Sequence, residues 1–196
     1  MKDVAESLAP EPITPRIAGR IRALRAARSL SLEQLAERSG VSRSMLSLIE
    51  REESSPTAVV LNKIAASFGV PLAVFFADPV ATDGPLSRAR DRRLWRDPQT
   101  GYLREVLSPA GIAAPFQVVQ VTLPADTTVQ YEAVNRPRPY HQQIWVLEGR
   151  IEVSFGGDVY RLENGDCLAT DVDGRPSSFR NPSRKRARYA VIVSLS

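Results

Sequence analysis

Residues 31–50 carry the most restrictive pattern in the chain, because they combine two helix starts with one helix end inside twenty residues. Ser31 and Gln34 have the spacing of a capping box, in which each side chain accepts a hydrogen bond from the other residue's backbone amide. Gly40 supplies the left-handed conformation in which helices commonly end. Ser42 then caps a second helix. The pattern predicts two short helices joined by a tight turn, a helix-turn-helix.

The second of these helices presents a polar stripe beside its apolar face. Met45, Leu46 and Ile49 recur at the spacing of a face that packs against a neighbouring helix. A helix that fits the major groove of DNA reads bases with side chains that hydrogen-bond to base edges. The side chains of this type on the polar stripe are Arg43, Ser44 and Ser47. A plain helical corner with a solvated polar face is the alternative.

The flanking sequence predicts three further helical segments. Residues 16–28 form an amphipathic helix with five arginines and no acidic residue, a surface that suits a phosphate backbone. Residues 57–68 are amphipathic, Gly69 ends that helix, and Pro71 opens a short apolar helix to Phe76. Five helices in about sixty residues indicate one helical unit.

Composition and charge narrow the class of protein. The chain has 196 residues, 43% of them apolar, which is enough for one or two globular domains. A net charge of +4 and a pI near 9.6 are compatible with nucleic acid but do not establish it. No apolar run is long enough to span a bilayer and the N-terminus lacks an apolar signal core, so we expect a cytoplasmic protein without membrane contact. The single cysteine, Cys167, excludes an internal disulfide, and its strand-like surroundings predict a buried thiol.

Beyond Tyr102 the apolar period changes from helical to alternating. Alternating positions predict strands over residues 119–123, 151–155 and 189–195. Pairs of turn residues at 156–157, 164–165 and 173–174 separate these runs. The second half is therefore predicted to be an antiparallel sandwich or barrel.

The segments outside these two units differ in composition. Residues 1–15 contain three prolines and no periodicity, which predicts a flexible tail. Residues 79–100 are arginine-rich and predict a linker that docks on the second domain through Trp95. DNA contact by these arginines is the alternative for the linker.

The helical segment, LSLEQLAERSGVSRSMLSLIERE followed by SPTAVVLNKIAASFGVPLAVFF, resembles the lambda-repressor-like (XRE) DNA-binding domain over residues 16–76. The resemblance implies that Arg43 and Ser44 read bases, Arg43 by contacting a guanine. It also implies a structural pair between Arg25 and Glu50. Glu52 stands where family members often have glycine. The predicted DNA contacts are Ser31, Gln34, Ser42, Arg43, Ser44, Ser47, Leu48 and Arg51.

The stretch HQQIWVLEGRIEVSFGGDVYRLENGDCLATDVDGRPSSFRNPS resembles the conserved barrel of the cupin family, in a match that extends over residues 102–195. The two resemblances together imply an XRE regulator with a C-terminal cupin domain. The predicted fold class is multi-domain α plus β. A five-helix DNA-binding domain at 16–78 is joined to an antiparallel, jelly-roll-like β-barrel at 101–196.

Metal-binding cupins place histidines and a carboxylate inside the barrel, and this sequence departs from that pattern. Gln142 stands at the carboxylate position, Ser177 at the later histidine position, and residues 135–138 at the earlier ones. His141 is the only histidine in the chain. We therefore predict no metal, no cofactor and no catalytic residue. The candidate effector contacts are Arg138, His141, Gln142 and Ser177. The alternatives are a solvated barrel mouth and, for His141, a strand-end histidine with a local partner.

These interpretations predict a homodimer that binds an inverted-repeat operator in double-stranded DNA through two copies of the helix at 42–51. A small-molecule effector in the cupin domain is expected to regulate it, and the protein is not predicted to be an enzyme. Two alternatives stay open. One is a DNA-tethered, metal-free cupin enzyme, and the other is a partner-dependent controller or antitoxin-type DNA binder.

Overall fold

The computed structural model describes residues 13–76, 84–110 and 114–195. Within these residues the N-terminal part holds four α-helices. They are α1 (Ile13–Ala27), α2 (Leu32–Ser39), α3 (Arg43–Glu50) and α4 (Ala58–Ser67). The fifth predicted segment, Leu72–Phe76, is a 3₁₀-helix of five residues, so the count of five α-helices is not confirmed.

The first helix also begins earlier than the sequence suggested. It starts at Ile13, so the last three residues of the predicted flexible tail are helical. Pro15 fits there because the first turn of a helix leaves backbone amides without intrahelical partners. The rest of the predicted tail, residues 1–12, lies outside the described residues.

Local capping defines the helical corner as predicted. The Gln34 amide donates to the Ser31 hydroxyl at 3.2 Å, and the Ser31 amide donates to Gln34 Oε1 at 2.8 Å. Gly40 ends α2 with φ of 65°, and the Ser42 hydroxyl accepts from the Met45 amide at 3.2 Å. These bonds satisfy donors that the helix ends would otherwise leave unpaired. The predicted helix-turn-helix is therefore confirmed.

Ten strands follow, and they form two antiparallel sheets. The strands are β1 (Leu94–Arg96), β2 (Leu103–Val106), β3 (Phe116–Leu123), β4 (Thr127–Tyr131), β5 (Tyr140–Glu148), β6 (Arg150–Phe155), β7 (Asp158–Glu163), β8 (Cys167–Val172), β9 (Ser177–Asn181) and β10 (Ala187–Ser194). In the part of the chain described, the larger sheet has the order β1-β2-β3-β10-β5-β8 and the smaller β4-β9-β6-β7. The non-sequential order means that the chain crosses repeatedly between the two sheets.

The predicted alternation places apolar side chains between the sheets. Buried positions recur every second residue on the three strands that the pattern indicated. They are Val119, Val121 and Leu123 on β3, Ile151, Val153 and Phe155 on β6, and Tyr189, Val191 and Val193 on β10. Leu195, predicted to continue the last series, is 42% exposed because it lies beyond the end of β10. The three predicted turn pairs connect β6 to β7, β7 to β8 and β8 to β9.

Part of the predicted linker is a strand of the larger sheet. β1 pairs with β2, and its central residue, Trp95, is 1% exposed. The Trp95 ring contacts Phe76 at 5.2 Å and Tyr102 at 5.6 Å between centroids. The predicted docking of Trp95 is confirmed, and the ring packs on both the helical and the sheet unit.

Cys167 differs from its prediction, because its thiol is exposed. It belongs to β8, the last strand of the larger sheet, and lies opposite Trp145 on the outer face. Leu168, Thr170 and Val172 are the half-buried residues of β8, so Cys167 lies on the opposite face of the strand. Among the described residues no helix has the length and apolarity needed to cross a membrane.

Candidate nucleic-acid interface and sheet cavity

The exposed start of α3 is the candidate surface for reading bases. Leu46, Ile49 and Glu50 are buried on one side of this helix. The other side presents Ser42, Arg43 and Ser44 to solvent, and the two serine hydroxyls lie 3.1 Å apart. Ser47 and Leu48, one turn further on, are half-buried. The start of α3 therefore presents one guanidinium and several hydroxyls, and the buried side of the helix holds it in place.

Arg43 is held by an acidic neighbour on the preceding helix. Its Nε lies 2.5 Å from Glu33 Oε1, and both side chains are more than 60% exposed. A backbone hydrogen bond, the Ser31 hydroxyl and Arg43 hold the pKa of Glu33 below its ordinary value. Exposed ion pairs contribute little free energy, so a base edge can replace Glu33 as the partner of Arg43.

Ser31 and Gln34 take part in capping. Both of the polar atoms expected to face DNA, the Ser31 hydroxyl and Gln34 Oε1, form the capping box of α2. Capping explains these two residues without DNA. A phosphate contact by either residue stays a prediction.

The acidic residues after α3 have arginine partners. Arg51 donates to Glu53 at 3.0 Å, and Arg22 of α1 lies 3.5 Å from Glu52. Glu52 adopts φ of 67°, the left-handed conformation that glycine tolerates best. The loop therefore keeps the backbone geometry that a glycine would have, with a negative charge added beside the candidate interface.

The arginines of α1 and of the turn that follows it have two different uses. Arg25 binds Glu50, as the resemblance implied, and Arg28 donates to the Phe68 carbonyl at 2.9 Å while its guanidinium lies over the Phe68 ring. These two side chains hold the helical unit together. Arg20 and Arg22 are exposed, and Arg22 has only the exposed pair with Glu52, so these two suit a phosphate backbone better than Arg25 and Arg28, which hold Glu50 and Phe68.

A second site lies between the two sheets, where a cavity of about 70 Å³ opens beside the helical unit. Gln142 and Ser177, two of the predicted effector contacts, line it. The helical unit contributes Asn62 and residues 71–73 to the wall. The buried or half-buried charged and phenolic side chains of the lining are Arg104, Arg136, Tyr102, Tyr131, Tyr140 and Tyr189. Arg175 also lines the cavity, but it is exposed and its Nε donates to Asp173 Oδ2 at 2.7 Å.

The other two predicted effector contacts lie outside this cavity. His141 is exposed on the outer face of the larger sheet, where its Nδ1 contacts Asp171 Oδ1 on the neighbouring strand. Arg138 is exposed on the loop before β5 and does not line the cavity. Because neighbouring residues of a strand face opposite ways, Gln142 points inward and His141 outward. His141 therefore matches the alternative of a strand-end histidine with a local partner.

The cavity arginines were not identified from the sequence, although they dominate its electrostatics. Arg104 and Arg136 are 7% and 6% exposed, and the Nε atom of each has no hydrogen-bond partner among the described residues. Neither forms an ion pair with a carboxylate of that part of the chain. Arg104 lies over the Phe76 ring at 5.3 Å. Burial lowers the pKa of Arg136, which shows the cost of desolvating its charge.

Arg136 also connects the two units. It donates to the Val70 carbonyl at 3.0 Å, and its guanidinium lies over the Tyr140 ring at 4.9 Å. Gly174 supports the loop that carries Arg136, because a Cβ there would lie 2.2 Å from the Val134 carbonyl oxygen. The only sequence signal for Arg136 was its place among residues 135–138, where metal cupins have histidines.

Metal ligation has no candidate cluster in the described ranges. No group of three or more histidine, cysteine, aspartate or glutamate side chains there is placed to hold a metal ion. The side chains at the cupin ligand positions that face the cavity are Gln142, Ser177 and, from residues 135–138, Arg136, whose guanidinium does not bind metals. An amide and a hydroxyl are weak donors for a transition metal, whereas both hydrogen-bond readily to a polar ligand.

A capped helix-turn-helix with an exposed second helix, joined to two antiparallel sheets around a cavity, defines a helix-turn-helix regulator with a cupin domain. Comparison with family models agrees, since the helix-turn-helix model matches residues 21–75 and the cupin domain model matches residues 126–193. The chain belongs to the family of HTH-type transcriptional regulators that carry a C-terminal cupin domain. It is accordingly a DNA-binding protein of transcription regulation.

Named relatives support this assignment. The HTH-type transcriptional regulator SutR of Escherichia coli K12 is 49% identical over 179 residues, which cover 88% of this chain and 91% of SutR. The regulator PuuR of the same organism is 28% identical over 165 residues, covering 84% and 86%. The crystal structure of an HTH_3 family transcriptional regulator from Vibrio cholerae matches with a TM-score of 0.73 and 26% identity, covering 94% of this chain and 97% of that one.

Proposed function

We propose that this protein binds an inverted-repeat operator with α3 in the major groove of each half-site. The observation that carries the proposal is the exposed Ser42, Arg43 and Ser44 at the start of a helix whose opposite side is buried. In this arrangement Arg43 reads a guanine, and Ser44 and Ser47 contact neighbouring base edges. Leu48 adds an apolar contact. Arg51, together with Ser31, Gln34 and Ser42, lies toward the phosphates.

A homodimer is part of the proposal, because an inverted repeat is read by two heads related by a two-fold axis. Support comes from the outer face of the larger sheet. Trp145 is 48% exposed there and pairs in register with Ala190 on one side and Cys167 on the other. Tryptophan is enriched at protein–protein interfaces relative to the rest of the surface. We assign this face to the partner subunit.

The remaining assignments give DNA binding to one domain and regulation to the other. We propose residues 16–78 as the DNA-binding domain and residues 101–196 as the domain for effector binding and dimerisation. The cupin interior is proposed to work without metal and without catalysis, and its polar lining is proposed to hold a small-molecule effector. A protein that reads operators works in the cytoplasm.

Selection from a random-sequence DNA library tests the proposal. At moderate salt, which suppresses nonspecific phosphate binding, the full-length protein is expected to enrich an inverted repeat. The half-site centres are expected about 10 base pairs apart, or a multiple of that spacing. Enrichment of no sequence, or of a single unrepeated site, contradicts the proposed mode of binding.

A further inference from the structure

The cavity between the sheets has a charge that operator binding does not explain. Arg104 enters it from β2, and Arg136 enters it from the loop between β4 and β5. Both residues are more than nine-tenths buried, and each has an unpartnered Nε among the described residues. Burying a cation is unfavourable unless an anion or a full set of acceptors compensates it. Arg136 has two neutral acceptors, the Val70 carbonyl at 3.0 Å and Asn62 Oδ1 at 3.5 Å, but neither guanidinium has an anionic partner among the described residues. The two guanidiniums therefore indicate an anionic ligand.

The buried acids of the described residues have other partners. Glu50 binds Arg25 in the helical unit. Asp97 lies at the end of β1, and its Oδ1 accepts from the Ala58 amide at 2.8 Å. Its Oδ2 accepts from the amide and the hydroxyl of Thr100 at 2.7 and 2.6 Å. Neither carboxylate forms an ion pair with a cavity arginine, so the protein's own buried acids do not neutralise the site.

Neutral donors surround the two arginines. The hydroxyls of Tyr102 and Tyr131 lie 3.4 Å apart, and Gln142 adds an amide. Burial raises the pKa of both tyrosines, so their hydroxyls stay protonated and can donate. Val121 and Val129 form an apolar side of the same wall. A lining that combines cationic and neutral donors with aliphatic groups suits an anion with a short carbon skeleton.

We propose that this cavity binds a small carboxylate between Arg104 and Arg136, and that this carboxylate is the effector of the regulator. Its role as effector rests on the proposed function. A planar guanidinium matches a carboxylate with two parallel hydrogen bonds. The cavity, at about 70 Å³, is several times larger than the roughly 10–15 Å³ that one water molecule needs, so it fits a molecule of a few heavy atoms.

The position of the cavity connects its ligand to the DNA-binding unit. Arg136 donates to the Val70 carbonyl at 3.0 Å, and Asn62 and Leu72 of the helical unit line the cavity. A ligand shifts a conformational equilibrium only when it binds the alternative arrangements unequally. Since part of the cavity wall belongs to the helical unit, movement of that unit changes the site itself. The carboxylate therefore favours one placement of the DNA-binding head.

Ligand binding is tested first, without DNA, on the full-length protein. Acetate, lactate and pyruvate are titrated while the melting temperature is followed, with acetamide and lactamide as uncharged controls and sulfate as an inorganic anion. We expect a saturable rise with at least one carboxylate and no rise with the amides. Equal effects of amides and acids, binding of sulfate alone, or no binding overturns the proposed site.

Three variants locate the site. Arg104→Gln is expected to weaken carboxylate binding about tenfold or more. It is also expected to melt no lower than the wild type without ligand, because it removes a buried unpaired charge. Arg104→Lys keeps the charge but loses the two-pronged geometry and is expected to bind more weakly than the wild type. Arg138→Gln, on the same loop as Arg136 but exposed, is expected to bind normally. Normal binding by Arg104→Gln overturns the assignment.

The effector role is tested on the selected operator. The bound carboxylate is expected to change the operator affinity, and the operator must change the carboxylate affinity by the same factor. If the carboxylate binds but leaves operator affinity unchanged, the effector role is wrong and the binding site stands. If an operator is selected and no carboxylate binds, this inference fails and the proposed function stands. If a carboxylate binds and no operator is selected either with or without that carboxylate present, the proposed function fails.

Discussion

Arg25 and Glu50 are joined by two parallel hydrogen bonds of 2.7 Å each, which connect the last turn of α1 to the end of α3. The Glu50 side chain is 8% exposed, and Arg25 Nη1 donates to the Leu30 carbonyl at 2.9 Å. The hydrogen bond to Glu50 raises the pKa of Arg25. A two-pronged pair with little water access fixes orientation as well as distance. The pair therefore fixes the orientation of α3 relative to α1.

Glu50→Gln is expected to lower the free energy of unfolding by about 2–3 kcal/mol, because it leaves the Arg25 charge poorly paired in a half-buried site. Denaturant unfolding measures the change. Arg51→Gln is the matched control, since it breaks an exposed pair one residue further on. A Glu50→Gln protein that is as stable as the control would show that the pair has no structural role.

Two substitutions of Glu52 distinguish the effect of backbone strain from the effect of charge. Glu52→Gly is expected to stabilise the fold by about 1 kcal/mol, because glycine adopts φ of 67° without the Cβ clash. It also removes a negative charge beside the interface and is expected to bind operator more tightly. Glu52→Gln removes the charge alone, so it should tighten DNA binding without stabilising the fold. Unfolding and DNA-binding titrations on both variants distinguish the two effects, and equal stabilisation by Gln rules out the strain explanation.

Asp97 is expected to control how firmly the two units are docked. Its carboxylate accepts from the Ala58 amide at the start of α4 and from Thr100 in the sheet unit. Asp97→Ala leaves these buried donors unpaired and is expected to cost about 1–3 kcal/mol. Hydrogen exchange is then expected to rise at Ala58. Asp91→Ala, an exposed neighbour in sequence, is the control. Unchanged exchange at Ala58 would contradict this assignment.

Trp145 is expected to be central to the dimer. Trp145→Arg places a charge on the outer face of the larger sheet, where the proposed partner lies. Light scattering is expected to give twice the chain mass of 21.6 kDa for the wild type and the single mass for this variant. Tyr160→Arg is the matched control, since Tyr160 is also exposed but lies on β7 of the smaller sheet. A Trp145→Arg dimer would place the interface elsewhere.

The helical corner could be predicted from the sequence because its determinants are local. Ser31 and Gln34 are three residues apart, and Ser42 caps the helix that begins at the next residue. Their bonds depend on a few neighbouring backbone atoms. The Arg25–Glu50 pair is longer-range, and only the resemblance to a family fold indicated it.

The cavity could not be predicted in the same way because its members are distant in sequence. Arg104 and Arg136 line the same cavity only after strands from different parts of the chain have formed the two sheets. Neighbouring residues illustrate the difficulty, since Gln142 faces the cavity while His141 faces solvent. Cys167 was misassigned for a related reason, because it alternates with Leu168, Thr170 and Val172, which are the half-buried residues of β8.

The central claim, that α3 reads operator bases through Arg43, is tested most directly by measuring affinity for every single-base variant of the selected operator. Wild type and Arg43→Ala are compared, with Arg51→Ala as the expected phosphate contact. Arg43→Ala should lose about 1–3 kcal/mol and its preference at one base pair of each half-site. Arg51→Ala should weaken all sequences alike. An Arg43→Ala profile that keeps the wild-type preference at every position would contradict the account.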